Sequence, residues 1–172
     1  MKQLTAETFK EYAQRLEKSG IKQLGEGAFG KVYQHPTLNN VAVKIVAYDP
    51  RNRDWLAFCR KAKGNPYLPV LYGVQTIHLD NSRDEAYVAF MEKLNPCPLE
   101  AWLALRSHVC QVSGMHDWTS QKAWSTVYQE TQDPGLRQVA KYLSKAQRTS
   151  LDLTQNNFML RNSNQLVFVD PV

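Results

Sequence analysis

The chain has 172 residues, 43% of them hydrophobic, and a formal net charge of +5, which together suit one domain with a core of its own. No apolar run approaches the roughly 20 residues of a membrane span, and the start at 1–5 lacks the apolar segment of a secretory signal. Cys59, Cys97 and Cys110 are too few and too widely spaced for a disulfide framework, which argues for reduced thiols in a cytoplasm.

The first predicted element is an amphipathic helix that begins after Thr5 and ends at Gly20. Thr5 can cap it, and apolar residues follow at helical spacing, namely Phe9, Tyr12, Ala13 and Leu16. We expect this apolar stripe to pack on the N-terminal part of the domain.

Three strands are predicted next, with glycines concentrated around the first turn, over 21–25, 30–34 and 41–48. Because Gly25, Gly27 and Gly30 lack Cβ atoms, their backbone N–H groups can approach phosphate oxygens closely. Lys44 lies in the third strand, where its ammonium can act on the α- and β-phosphates of a nucleotide. A dinucleotide fingerprint would need a helix opening at the glycines, whereas here a strand continues. The alternative is an ordinary glycine-rich hairpin with a solvated lysine.

A basic helix is predicted over 53–63, with an apolar face formed by Trp55, Phe58, Cys59 and Ala62. Its basic residues form either a solvated face or an electrostatic patch for an acidic partner. They are Arg51, Arg53, Arg60, Lys61 and Lys63. The absence of interleaved aromatic residues argues against direct nucleic-acid binding.

A hairpin over 72–79 and 85–92 is predicted to lead into a linker at 94–98, which holds two prolines in five residues. Helices are then predicted over 99–109, over 121–129, and from Asp133-Pro134 onward. The last helix carries an apolar stripe, Leu136, Val139, Ala140 and Leu143. We expect Trp102, Trp118 and Trp124 to form core rather than to bind a ligand.

The second set of candidate functional residues lies near the C-terminus. Asp152 and Asn157 keep the D-L-x-x-x-N spacing of a phosphoryl-transfer loop. Asp152 can orient an acceptor hydroxyl and take its proton, and Asn157 can supply an oxygen to magnesium. A hairpin is predicted over 158–160 and 166–169, and Asp170 follows it, where a second magnesium-binding carboxylate belongs.

Taken with the glycines and Lys44, these residues resemble a protein kinase reduced to near its minimum. More closely, the chain is similar to the early-expressed Ser/Thr protein kinases of T-seven-like coliphages, from about residue 20 to 172. The shorter matches that carry this likeness are Leu24-Gly25 with Gly27, Tyr33 with His35-Pro36, Ala57-Phe58-Cys59-Arg60, Pro69 with Tyr72, Val74 and Gln75, Asp152 with Asn157, and Asp170-Pro171-Val172.

The resemblance implies an α+β fold of two lobes within one domain, 1–172. An antiparallel sheet lobe with one or two helices would occupy 1–94, a hinge 95–98, and a small, mainly helical lobe 99–172. ATP and magnesium would be the cofactors, held between the lobes. Val32 and Met91 would contact the nucleotide, Met91 at the back of the adenine pocket, although methionine is also an ordinary core filler.

The resemblance also implies a host-takeover enzyme in the bacterial cytoplasm. Its substrates would be host proteins, such as those of transcription and RNA processing, and the enzyme itself.

Departures from the kinase pattern keep other hypotheses open. The usual H-R-D is Ser150-Leu151-Asp152, and D-F-G is Asp170-Pro171-Val172. No glutamate is available on the basic helix to pair with Lys44; the aligned position falls near Leu56, and Asp54 is the nearest acid. With two residues after Asp170, the chain is either a very small kinase or a piece of a longer product. The rivals are a pseudokinase that binds a host protein without chemistry, and a kinase for small molecules.

Overall fold

The structure is a computed structural model that describes residues 18–27, 30–47, 49–78, 85–146, 151–162 and 164–171. The described residues form two compact units. The first contains the described residues up to Lys61 together with Val70–Lys93, and the second contains Ala62–Pro69 and the chain from Leu94 onward. The predicted N-terminal helix lies outside the described residues, except that Lys18 is helical and Gly20 has a φ of 76°, a left-handed conformation that ends helices.

The first unit is built on a five-stranded antiparallel sheet in the order β1-β2-β3-β5-β4. Its strands are β1 Gln23–Gly27, β2 Gly30–Gln34, β3 Val41–Ala47, β4 Leu71–His78 and β5 Glu85–Glu92. The predicted strands are confirmed within one or two residues, but β1 begins and ends two residues later than expected. It continues because Gly25 and Gly27 pair with Val32 and Gly30, so both glycines belong to the strand.

The two faces of this sheet have different partners. One face carries a buried apolar cluster of Tyr33, Ile45, Ile77, Ala86 and Val88. On the other face, Tyr87 and Ala89 pack with Leu56 of the first described helix. Because side chains alternate along each strand, Lys44 shares the second face with Ala89, its direct partner on β5.

The helix α1 spans Pro50–Lys61, three residues earlier at its start and two earlier at its end than predicted. It begins early because the Asp49 carboxylate accepts a hydrogen bond from the Arg51 N–H at 2.9 Å, so Asp49-Pro50 forms a helix start that the prediction overlooked. Trp55 and Cys59 are buried as expected, as is Ala62 just beyond the helix, and Leu56 joins them. Gly64, with φ at 90°, follows the helix.

The second unit contains three helices, α2 Leu99–Ser113, α3 Gln121–Glu130 and α4 Pro134–Leu143. The α2 helix runs four residues beyond the predicted end, up to Gly114 in the left-handed conformation with φ at 67°. The predicted start of α4 is confirmed: Asp133 accepts hydrogen bonds from the N–H groups of Gly135 and Leu136 at 2.8 and 3.0 Å. Its predicted apolar stripe is buried throughout.

A three-stranded antiparallel sheet completes this unit, in the order β6 Asn95–Pro96, β7 Phe158–Arg161 and β8 Gln165–Phe168. The predicted C-terminal hairpin is confirmed. The expected linker is in part a strand, because Asn95 and Pro96 pair with Leu160 and Met159, and proline is tolerated there at a sheet edge.

Aromatic side chains form the core beneath this sheet. The rings of Phe158 and Phe168 lie 4.8 Å apart, and Trp124 meets Phe168 edge-on at 5.7 Å. Trp118 stacks on Phe158 at 6.0 Å. Trp118 and Trp124 are buried, so the prediction that they form core is confirmed.

The residues between α1 and β4 are anchored within the second unit. Asn65 donates to the Gly135 carbonyl at 3.0 Å, and the Tyr67 carbonyl accepts from the Phe168 N–H at 2.9 Å. The Tyr67 hydroxyl donates to the carboxylate of Asp133 at 2.6 Å, and the same carboxylate caps α4. The segment 62–69 is therefore tied to the start of α4, within the second unit, through one carboxylate.

The architecture is thus α+β, with antiparallel sheets in both units. No helix among the described residues is long and apolar enough to cross a membrane. The three cysteines are free thiols, with Cys59 and Cys97 buried. Burial, assisted by Glu100, raises the pKa of the Cys97 thiol, which makes the thiolate scarcer than at an exposed cysteine.

Tyr67→Phe tests the link between Tyr67 and Asp133. It removes a hydrogen bond to a carboxylate and is expected to lower the free energy of unfolding by about 1–2 kcal/mol at neutral pH. Burial and the bond to Asp133 raise the pKa of Tyr67 to about 12 from 10.0. The contribution is therefore complete below the unfolded pKa and is lost as the pH rises through the folded value.

Urea unfolding of the wild type and the variant between about pH 8 and pH 12 measures this difference. Tyr72→Phe is the matched control, because Tyr72 is 56% exposed. At acid pH the opposite sign applies: the bonds from Tyr67 and Leu136 lower the pKa of Asp133, so its contribution is lost as the pH falls through that pKa. A Tyr67→Phe deficit that stays constant up to the highest pH would contradict the coupling.

Candidate active site

The residues predicted to bind a nucleotide in the first unit lie on one face of its sheet. Directly opposed residues in antiparallel strands project to the same face, and the register opposes Gly25 to Val32, Gly27 to Gly30, Val32 to Lys44, and Ala42 to Met91. Ala42 and Lys44 are two residues apart on β3, which puts Met91 on the face of Lys44. All six residues predicted to bind the nucleotide therefore share one face of the sheet. They are Gly25, Gly27, Gly30, Val32, Lys44 and Met91.

The three glycines differ in what they do for the fold. A Cβ atom at Gly30 would lie 2.3 Å from the carbonyl oxygen of Ile45, so β2 and β3 approach each other there as only glycine permits. A Cβ at Gly25 or Gly27 would meet no described atom within 4 Å. Packing therefore explains Gly30, whereas the open space at Gly25 and Gly27 leaves their backbone accessible to a ligand.

Lys44 lies half-buried on the central strand between Val32 and Ala89. The helix position aligned with a lysine-pairing glutamate holds Leu56, which is 6% exposed and contacts Ala89 and Tyr87. Asp54 does not replace that glutamate, because its side chain is 60% exposed and pairs with Arg53 at 3.1 Å. The hypothesis of Asp54 as a surrogate is thus unsupported by its contacts.

Asp152 lies in an extended loop of the second unit, and its neighbours decide its orientation. Leu151 and Leu153 are only 3% and 2% exposed. Asp152, which lies between them, and Thr154, which follows them, are exposed. Alternation in extended backbone thus turns the carboxylate outward when the leucines turn inward. The Leu151 N–H donates to the Thr119 carbonyl at 3.0 Å and fixes the start of the loop.

Asn157 and Asp170 come together at the end of the C-terminal hairpin. The Asn157 carbonyl accepts from the N–H of Val169 at 2.9 Å, and Asp170 is the next residue. The side-chain NH₂ of Asn157 donates to the carbonyl of Asp152 at 2.9 Å and closes the loop. The other terminal atom of this side chain is therefore the amide oxygen, Oδ1. Oδ1 of Asp170 is fully buried. The second unit therefore brings its three predicted residues, Asp152, Asn157 and Asp170, into one loop and hairpin end.

The donor set of Asn157 and Asp170, an amide and a carboxylate oxygen, fits magnesium, which binds hard oxygen ligands. Among the described residues no cluster of three histidine, cysteine, aspartate or glutamate side chains could hold a metal. A site with two protein ligands matches the usual mode of Mg²⁺, whose remaining ligands are phosphate oxygens and water.

Two polar contacts of the Asp152 loop were not expected from the sequence. The indole N–H of Trp102 donates to the Leu153 carbonyl at 2.9 Å, although Trp102 was interpreted as core alone. The Gln155 amide donates to the Cys97 carbonyl at 2.7 Å. No local pattern in the sequence indicates either contact. The alternation of leucine and polar residues from Leu151 indicates only that the loop is extended with one side buried.

These two sets of residues offer the types of group that phosphoryl transfer uses: accessible glycine backbone and an ammonium in one unit, and two carboxylates with an amide oxygen in the other. Residues 3–172 match the family model of the bacteriophage T7 protein kinase 0.7. The chain therefore belongs to the phage T7 protein kinase family, as its resemblance implied. A search of curated proteins gave no match.

Gly30→Ala is expected to destabilise the first unit by about 1–3 kcal/mol, because the added methyl group overlaps the Ile45 carbonyl. Gly25→Ala and Gly27→Ala are matched controls on the same hairpin and are expected to change the free energy of unfolding by less than about 1 kcal/mol. Chemical denaturation of the three variants measures the difference. Equal destabilisation by all three would contradict the distinction.

Proposed function

We propose that this phage protein kinase is an ATP- and magnesium-dependent serine/threonine kinase with a reduced two-lobed kinase fold. The observation that carries the nucleotide assignment is the shared sheet face of Gly25, Gly27, Gly30, Val32, Lys44 and Met91. The six residues come from four different strands and still share one face. In a chain of this family, such a grouping is expected for residues that bind one ligand.

On this proposal the sheet face binds ATP. The backbone at Gly25 and Gly27 approaches the phosphates, and the ammonium of Lys44 neutralises the α- and β-phosphates. Val32 and Met91 supply apolar contact for the adenine, which is typical of the lining of nucleotide sites. Met91 is 6% exposed, so its contact would be limited to a small part of its side chain.

Asp152 is proposed to orient the hydroxyl of a serine or threonine and to accept its proton. The hydroxyl oxygen then forms a bond to the γ-phosphorus as the bond to the β,γ-bridging oxygen breaks, and ADP leaves. Asn157 and Asp170 would hold magnesium, which when bound offsets the negative charge of the phosphates. The exposed position of Asp152 supports this role, because a protein substrate must reach it.

The proposed substrates are host proteins in the bacterial cytoplasm, such as those of transcription and RNA processing, and the kinase itself. The exposed cations Arg60, Lys61 and Lys63 at the end of α1 and beyond it favour acidic protein surfaces as partners.

A second candidate is a pseudokinase that occupies a host protein without catalysis. It is favoured by Leu56, whose buried apolar side chain lies where active kinases carry the glutamate that pairs with the lysine. This candidate predicts no magnesium-dependent ATP turnover by the purified protein, together with stable co-purification of a host protein.

Lys44→Ala and Asp152→Ala are each expected to reduce phosphate transfer by at least about 10²-fold, because each removes a group that acts on the reacting phosphates or hydroxyl. Incubation with radiolabelled ATP, magnesium and a bacterial extract measures transfer, and phosphoamino-acid analysis identifies the acceptor. Lys31→Ala is the matched control, since Lys31 opposes Ile45 and so lies on the other face of the sheet.

In that assay Lys31→Ala retains wild-type labelling if the assignment is correct. Unchanged labelling by Asp152→Ala, with its fold intact by circular dichroism, would remove Asp152 from the mechanism. Labelling of tyrosine alone would contradict the serine/threonine assignment.

A comparison of variants at Asn157 and at its neighbour Asn156 tests whether Asn157 is a magnesium ligand. Asn157→Ala is expected to raise the magnesium concentration for half-maximal transfer by about tenfold or more, whereas Asn156→Ala, at an exposed position, leaves it unchanged. Asn157→Asp keeps an oxygen ligand and loses the donor to Asp152, so it is expected to need less magnesium than Asn157→Ala. The same magnesium requirement in all three variants would contradict the ligand role.

A further inference from the structure

The loop that carries Asp152 lacks the histidine and arginine that precede the aspartate in H-R-D kinases; Ser150 and Leu151 stand there instead. The burial of Leu151 and Leu153 turns the Asp152 carboxylate outward, but apolar contacts are non-directional and do not fix its exact position. Hydrogen bonds to the loop backbone are directional, so the contacts that supply them determine where the carboxylate lies.

Trp102 supplies one of these bonds from a fixed position. Its indole N–H donates to the Leu153 carbonyl, one residue after Asp152, at 2.9 Å. The indole itself is held by Trp118, which meets it edge-on with ring centroids 5.6 Å apart, and by the Arg106 guanidinium 5.9 Å above the ring. A donor already packed against neighbours loses little conformational entropy when it binds the loop.

Gln155 supplies the second bond, from the loop back to Cys97, two residues before α2. Its amide donates to the Cys97 carbonyl at 2.7 Å, while Trp102 reaches the loop from the first turns of α2. The loop is thus tied at Leu153 and at Gln155 to one short stretch of chain, from Cys97 to Trp102. Both bonds lie within the second unit.

We propose that Trp102 and Gln155 are positioning residues for Asp152: they brace the loop in the place of the missing histidine and arginine. This inference rests on the proposed catalytic role of Asp152. Neither side chain touches the reacting atoms. Their effect passes through the Leu153 carbonyl and the Gln155 backbone, and a displacement of about 1 Å at Asp152 is enough to cost roughly 10²-fold in rate.

Trp102→Phe is the test variant, because it deletes the N–H and keeps an aromatic ring against Trp118. Trp124→Phe is the matched control: it deletes an indole N–H that donates to the backbone carbonyl of Trp118 at 2.8 Å in the same aromatic core. We expect Trp102→Phe to lower kcat about tenfold or more with the KM for ATP nearly unchanged. Trp124→Phe is expected to keep the wild-type kcat at temperatures where it is folded.

Hydrogen exchange gives a readout that does not depend on activity. The N–H groups of Leu151 and Asn157 are bonded to the carbonyls of Thr119 and Thr154. Their exchange is expected to accelerate in Trp102→Phe and to stay at the wild-type rate in Trp124→Phe. Gln155→Met, which removes the donor at similar length, is expected to reproduce both effects and serves if Trp102→Phe does not fold.

A loss of kcat in Trp102→Phe no greater than in Trp124→Phe, with unchanged exchange at Leu151 and Asn157, would overturn the proposal. Accelerated exchange in Trp102→Phe with full activity would also overturn it, since the brace would then have no bearing on Asp152. Failure of the proposed function is distinguishable, because the wild type would then transfer no phosphate, or Asp152→Ala would be as active as the wild type, whatever the exchange data give.

Discussion

The register of β2, β3 and β5 is the constraint on which the placement of the proposed nucleotide-binding residues depends. It aligns Val32, Lys44 and Ala89 in one row across the sheet. A slip of β3 by one residue would turn Lys44 toward the buried cluster that contains Tyr33 and Ile45, where an unpaired ammonium is costly. The close approach of Gly30 to the Ile45 carbonyl fixes the same register. One backbone geometry therefore determines both the apolar core and the surface that carries Lys44.

In the second unit the corresponding constraint is the burial of aromatic and apolar side chains around the C-terminal hairpin. Phe158 and Phe168 pair across its strands, and the backbone bond between Asn157 and Val169 extends that pairing by one residue. Asp152 is exposed because Leu151 and Leu153 on either side of it are buried. The core of the unit thus leaves the Asp152 carboxylate exposed while it buries Oδ1 of Asp170, and the exposed carboxylate is consistent with the role proposed for it.

The connection between α1 and β4 belongs to the second unit and depends on polar contacts. The Arg161 guanidinium donates to the carbonyls of Pro66 and Leu68, each at 2.7 Å, and Asn65 and Tyr67 contact the start of α4. Gly135 allows this approach, because a Cβ there would lie 3.1 Å from atoms of Pro66 and Tyr67. These contacts place strand β7, strand β8 and helix α4 around a segment of eight residues, 62–69.

The sequence alone determined the elements whose signals are local. Apolar runs separated by polar turns predicted β2 through β5 and the C-terminal hairpin, and Asp133-Pro134 predicted the start of α4, because such runs, turns and caps involve neighbours in the chain. The spacing of Asp152, Asn157 and Asp170 also selected residues that the structure brings together in one unit. The same kind of signal at Asp49-Pro50 and Gly114 was available for the ends of α1 and α2, where the predicted bounds were wrong.

Only the tertiary structure decided which partners meet across the chain. It placed Leu56 beside the partner strand of Lys44, gave Asn95 and Pro96 a strand to pair with, and brought the Trp102 indole to the Leu153 carbonyl. Each of these contacts joins residues about 30 to 65 positions apart. Their geometry depends on how whole strands and helices pack, and no local period in the sequence records that packing.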